Sequence, residues 1–326
     1  MQQSQLARKT GVATLSVVSN TALTIVKLLV GLQIGAVSII SEALHSGVDL
    51  LAAIIALLAV RASAQEPDEE HPYGHGKYEN ISGAVEALLI FAAAAWIIYE
   101  AVHKLLKPAP LETLGWGMLV MLSSSVANII VSAQLFKVAR DTDSIALEAD
   151  AWHLRTDVYT SAGVLLGLAV IWIGRMTLPA VDLQWLDPVA AIAVALLILK
   201  AAWELTAKAV SGLLDTRLDP EELDWIRHHL ESLQPRVCGV HHLRTRRSGA
   251  TRFVDLHLVV QCDMPLVEAH DLNDAISAAI HEHFPDTRIL IHTEPCEDKC
   301  DEVCLAGCFD PHRAGRPHQR PQPLQP

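Results

Sequence analysis

Charge is what this chain of 326 residues has least of. Asp, Glu, Lys and Arg together make up 19%, against about 25% in an ordinary soluble domain. Basic residues are the scarcer kind, 25 against 37 acidic ones, for a formal balance of −12. The lack of a basic stripe and a net charge that repels phosphate argue against nucleic-acid binding. Cysteine is absent from every apolar run. Four of the six (Cys296, Cys300, Cys304 and Cys308) fall in the last 31 residues, and the others are Cys238 and Cys262. That distribution excludes a secreted disulfide scaffold and places the C-terminal part in a reducing, cytoplasmic setting. The short N-terminal stretch lacks a small-residue cleavage site, so no removable signal peptide is expected. What the chain has instead is apolar surface, 51% of residues, with a mean hydropathy of +0.29. A purely soluble enzyme and a disordered chain are both excluded.

The apolar residues form six runs before about residue 213. They cover about 11–31, 36–60, 81–102, 114–136, 145–173 and 188–213, each near the roughly 20 residues that a membrane span requires. Loop charge sets the orientation. With both ends inside, Arg8, Lys9, Arg61, Lys77, Lys137, Arg140, Lys208 and Arg217 face the cytoplasm, and Lys104, Lys107 and Arg175 face out. From Asp219 the texture changes: 221–233 reads as a helix, 240–247 and 253–261 as strands, 268–284 as a helix and 288–293 as a strand. The expected fold is therefore a bundle of six transmembrane helices plus a cytoplasmic α+β domain of α-β-β-α-β order. The expected organisation is a tail over 1–10, the bundle over 11–213, the soluble domain over 214–295 and a Cys-rich disordered tail over 296–326.

Two spans carry polar residues that a bilayer penalises. His45 and Asp49 lie four apart on the second, and His153 and Asp157 four apart on the fifth. That spacing sets both side chains of a pair on one helix face, and ionisable groups at membrane depth are functional by default. Facing each other, the pairs offer two imidazole nitrogens and two carboxylate oxygens, a set suited to a tetrahedral divalent ion, zinc first.

These residues, with Glu-Ala-Asp-x-x-His-x-x-x-Asp (148–157) and His-Pro-Tyr-Gly-His-Gly-Lys-Tyr-Glu (71–79), resemble the cation diffusion facilitator family. Its members are zinc-exporting six-span antiporters, and the likeness to its bacterial ferrous-iron and zinc efflux members runs from about residue 11 to 296. The resemblance implies a homodimer that exchanges divalent metal for protons, with Zn²⁺ as cargo and as structural or regulatory ion. It implies no enzymatic activity, and a multi-pass location in a bacterial inner membrane with both termini in the cytoplasm. His45, where many bacterial relatives have aspartate, favours zinc over cadmium, iron and cobalt.

The resemblance also implies a loop metal site at Asp68, His71 and His75, the two histidines one turn apart if that segment is helical. It implies an interfacial site at His241, His257, His270, His292 and Glu294, and a charge interlock between protomers at Lys77 and Asp215. His242 is expected on the opposite strand face from His241 and outside the site. The four cysteines of the tail, with His312 and His318 nearby, read either as a soft-metal trap on one helix face or as an unimportant extension. Two other classes stay open. One is an intramembrane metallohydrolase, although there is no His-Glu-x-x-His. The other is a membrane-bound metal sensor.

Overall fold

A computed structural model describes residues 2–34, 37–106, 116–177, 185–296 and 306–309. The chain divides into two compact units, Met1–Leu214 and Asp215–Pro326.

The first unit is six long helices: α1 Gln2–Ile34, α2 Val37–Ser63, α3 Lys77–Leu106, α4 Trp116–Thr142, α5 Ile145–Thr177 and α6 Leu186–Leu213. At 1.5 Å per residue each is roughly 40–50 Å long, enough to cross a hydrocarbon core of about 30 Å. Among the described residues five are apolar enough to span. α5 carries Glu148, Asp150, His153, Arg155 and Asp157 in its first half. Lys107 and Leu114, expected beside the third and fourth spans, lie outside the described residues.

α1 packs chiefly on α2, α3 on α6 and α4 on α5. The buried contacts are made largely by small side chains. One core gathers Ala13, Ala59, Ala139, Ala146 and Ala151 around Leu135, Leu147 and Leu154. A second gathers Ala87, Ala94, Ala149 and Ala202 around Ile90 and Ile198. Alanine lets helix backbones approach closely, the main source of helix association where lipid is as apolar as leucine. Large apolar residues such as Leu29, Leu88, Leu197 and Trp203 are exposed on the outside. Charge collects at the end of the bundle holding the α1 N-terminus, where Arg8 pairs with Asp141, Lys9 with Glu79 and Lys208 with Glu148.

The second unit has the expected element order: α7 Pro220–Glu231, β1 Val237–Ser248, β2 Thr251–Val260, α8 Leu266–His283 and β3 Thr287–Pro295. The sheet order is β1-β2-β3, with β1 antiparallel and β3 parallel to β2. Val254, Leu256, Leu258 and Val260 of β2 join Ile226 and Leu230 of α7 and Leu272, Ile276 and Ile280 of α8 in one core. Period-2 and period-3.6 apolar patterns thus meet on one face of the sheet, and the other face is left for polar residues.

Within the stretch expected to be disordered, residues 306–309 return to the free edge of β1. Val240 N–H donates to the Gly307 carbonyl at 2.9 Å and Phe309 N–H to the Cys238 carbonyl at 3.0 Å, with Cys308 opposite Gly239. The backbones approach so closely that a Cβ on Gly239 would lie 2.6 Å from the Gly307 carbonyl oxygen. One on Gly307 would lie 2.1 Å from that of Val240. Both positions therefore require glycine. Cys300, Cys304, His312 and His318 lie outside the described residues, as does the proposed helical face of thiols.

Truncating Ile276, fully buried at the centre of the α+β core, is expected to cost the domain about 2–5 kcal/mol. Denaturant unfolding of Ile276→Ala, followed by the fluorescence of Trp225 on that core, measures it.

Candidate metal centres

In the helical unit, the His-Asp pairs of α2 and α5 face each other. The His153 imidazole Nε2 lies 3.1 Å from Asp49 Oδ1, and His45 Nε2 lies 3.5 Å from Asp157 Oδ1 and 4.0 Å from Asp49. Donor atoms of His45, Asp49 and Asp157 fall within 4.8 Å of one another, and His153 joins them through Asp49. Asp49 and His153 are buried with side chains 6% exposed, Asp157 is 20% exposed and His45 is 50% exposed. The quartet is thus sealed on one side and open beside His45. Each helix supplies its pair because i and i+4 share a face, and the packing of α2 on α5 turns the two faces together.

A third helix contributes a residue that sequence reasoning missed. Asn128 of α4 is buried, and its side-chain amide donates to Asp157 Oδ2 at 3.4 Å. A single asparagine in an apolar run carries no spacing signal, so only the packing of α4 on α5 shows what it does. Asp150 of α5 and Glu86 of α3 are fully buried carboxylates, and the Ser16 hydroxyl of α1 stands beside Asp150.

The loop after α2 brings Asp68, His71 and His75 together. Asp68 Oδ1 is 3.2 Å from His71 Nδ1, Asp68 Oδ2 is 3.3 Å from His75 Nε2, and the two imidazole centres are 4.4 Å apart. The segment is not the helical turn that would have placed the histidines. His71 and His75 converge through a tight turn, in which Gly74 N–H donates to the His71 carbonyl and Gly74 takes φ +86°. The His71 backbone N–H donates to Asp68 Oδ1 at 2.6 Å and holds the Asp68 carboxyl below its usual range.

In the α+β unit a row of histidines crosses the open sheet face, His241 opposite His257 and His257 opposite His292. Glu294 gathers them: its oxygens lie 2.9 Å from His241, 2.8 Å from His257 and 3.4 Å from His292. Burial pushes Glu294 up, but hydrogen bonding to His257 and His241 outweighs it and holds the carboxyl below the usual range. His270 is not brought to this row. It projects from α8 beside Asp274, 3.6 Å away and 71% exposed. α8 lies on the other side of the sheet, where Asn273 bonds Thr293, the residue between His292 and Glu294.

His242 departs from the strict alternation expected of it. The register of β1 on β2 shifts between His241 and Arg244, and His242 takes φ +50°. Its ring then stands 5.0 Å from that of His241 and 4.9 Å from that of His257. A bulge breaks the period-2 rule, and no feature of the local sequence announces this one. Lys77 donates to the Leu213 carbonyl at 3.4 Å, and Asp215 accepts from Arg246 at 3.4 Å, each within its own unit.

Comparison with known proteins places this geometry. Residues 13–214 match the family model of the cation efflux transmembrane domain, and residues 218–296 that of the cytoplasmic domain of cation efflux proteins. The chain belongs to the cation efflux family, the cation diffusion facilitators. It is 36% identical to an uncharacterized transporter of Synechocystis over 81% of this chain and 83% of that one. It is 34% identical to the cation-efflux pump FieF of Salmonella over 85% of this chain and 89% of that one. A solved structure of the transporter CzrB is 42% identical over 24% of this chain and 99% of its own length, with a TM-score of 0.24. The protein is thus a multi-pass membrane transporter for the efflux of divalent metal cations, with a dimerisation domain, and not an enzyme.

The depressed carboxyl of Glu294 fixes a sign. Its contribution to stability is present above the ordinary glutamate value of about 4.3 and is lost as pH falls through its lower folded value. Wild type should therefore exceed Glu294→Gln in stability at neutral pH, by no more than about 1 kcal/mol for so exposed a contact. Denaturant titrations across acid pH should show that difference closing.

Proposed function

We propose that this protein exports Zn²⁺ from the cytoplasm in exchange for protons, with His45, Asp49, His153 and Asp157 as the transport site. The observation that carries the reading is the convergence of two imidazoles and two carboxylates from α2 and α5 at membrane depth. Two nitrogens and two oxygens make a four-ligand tetrahedral set, the preference of zinc. Imidazole and carboxylate must shed protons to bind metal, so the same four side chains hold either metal or protons. Alternating access around such a fixed site converts that competition into antiport. Four protein ligands leave no open position for an attacking water, in keeping with transport and not hydrolysis.

The other two clusters serve the cytoplasmic side in this reading, with both termini there and the protein a homodimer in a bacterial inner membrane. Asp68, His71 and His75 hold a second zinc on the loop. His241, His257, His292 and Glu294 hold structural or regulatory zinc, and His270, remote within one chain, joins from the dimer partner. Metal in the soluble domain biases the bundle, a coupling between separate sites, and Lys77 and Asp215 interlock protomers at the junction. Cadmium, iron and cobalt are the competing cargoes at a site of this chemistry.

Zinc flux into proteoliposomes under a pH gradient tests the reading. Asp157→Ala should abolish metal-driven proton movement, and normal flux in that variant would defeat the assignment. Asn128→Ala, which removes the amide that orients Asp157, should weaken zinc transport by roughly 10–100-fold, the usual cost of losing an outer partner of a ligand.

A further inference from the structure

α1 carries a charge deep in its apolar length. Arg8 and Lys9 lie near its start, and its next charged side chain is Lys27, about 27 Å further along the helix axis. Lys27 is buried, with a side chain 6% exposed. An ammonium withdrawn from water at membrane depth is costly unless it is answered, and two side chains of α2 answer it. Lys27 Nζ donates to Ser46 Oγ at 2.8 Å and to Glu42 Oε2 at 3.3 Å. Stability alone gives no reason for such a pair, because a buried ion pair is often matched or bettered by apolar residues of similar volume.

Its position supplies a reason. Glu42, His45, Ser46 and Asp49 recur at the three- and four-residue intervals that make one stripe on a helix, and that stripe is the α2 wall of the His-Asp quartet. Glu42 stands one turn before His45, near enough for its charge to act on that imidazole. Its side chain is 38% exposed and that of His45 50%, so both lie on the open side of the quartet. A carboxylate there is a ligand for any divalent ion within its reach, yet Glu42 is turned to Lys27 instead. The number of carboxylates matters to the choice of ion. Two imidazoles and two carboxylates suit tetrahedral zinc, whereas a third carboxylate adds oxygen ligands and moves the set toward the oxygen-rich octahedral surroundings of manganese.

We propose that Lys27 is a specificity-determining residue of the transport site: by pairing with Glu42 it withholds a third carboxylate, keeps the site four-coordinate and disfavours Mn²⁺ against Zn²⁺. The proposal rests on the reading of His45, Asp49, His153 and Asp157 as that site and adds the residue that guards its ligand count. Lys27 touches no metal. It acts through Glu42, and specificity here is a difference of two affinities.

Zinc flux into proteoliposomes carrying the full chain, measured under a pH gradient against rising Mn²⁺, tests this. The readout is the Mn²⁺ concentration that halves zinc flux. In Lys27→Met, which frees Glu42, that concentration should fall by roughly tenfold or more. Lys27→Gln, which keeps a donor for Ser46 but no charge, should shift it in the same direction and stands in if the methionine variant folds poorly. Lys27→Met combined with Glu42→Gln removes the freed carboxylate and should return the value to within about twofold of the parent. A merely structural role would weaken both ions together and leave the halving concentration unchanged, and that result overturns the proposal. A fall that persists in the double variant overturns it too, since Glu42 is then not the agent. Asp157→Ala separates this from failure of the underlying reading. If zinc flux is normal there, the quartet is not the transport site and the proposal falls with it. If Asp157→Ala abolishes flux while neither Lys27 variant changes the halving concentration, the quartet stands and Lys27 does not set its selectivity.

Discussion

The contact between His153 and Asp49 organises the membrane half of this molecule. A carboxylate and an imidazole withdrawn from both lipid and water are costly unless each answers the other, and here they meet across α2 and α5 at 3.1 Å. Once that contact is fixed, the second pair follows from helix geometry alone, because His45 and Asp157 stand one turn away on the same two faces. The alanine-lined seams make the approach possible. Ala59 on α2 and Ala151 on α5 are buried in one core, and bulkier side chains there would hold the helices apart.

The same logic shows why the site is lopsided. Asp49 and His153 sit deep, whereas His45 is half exposed. Asn128 donates to Asp157 Oδ2 without adding charge to the cluster. Fully buried Asp150, with Ser16 beside it, extends the polar interior past these four side chains.

Much of this was legible in the chain. Six apolar runs, the repeated four-residue His-Asp spacing and the α-β-β-α-β alternation all survive as helices, facing pairs and a three-stranded sheet. They are legible because helix and strand periods are local properties that sequence spacing records directly. What was not legible depended on events without a period. The bulge at His242 reverses a side chain with no local marker, the turn at Gly74 brings His71 to His75 without a helix, and Asn128 gains its role only when α4 lies on α5.

The return of residues 306–309 to β1 bears on how the α+β unit meets its surroundings. A bare outer strand offers a row of unpaired amides and carbonyls to any extended peptide, including a sister molecule. Here the protein's own C-terminal stretch occupies part of that row, held by two backbone hydrogen bonds, with Phe309 packed against the core. The two glycines that allow so close a fit leave little tolerance for a substitute segment with side chains at the same depth. The chain thereby plugs its own most adhesive margin, and crowded copies in a membrane are kept from stitching their sheets together there.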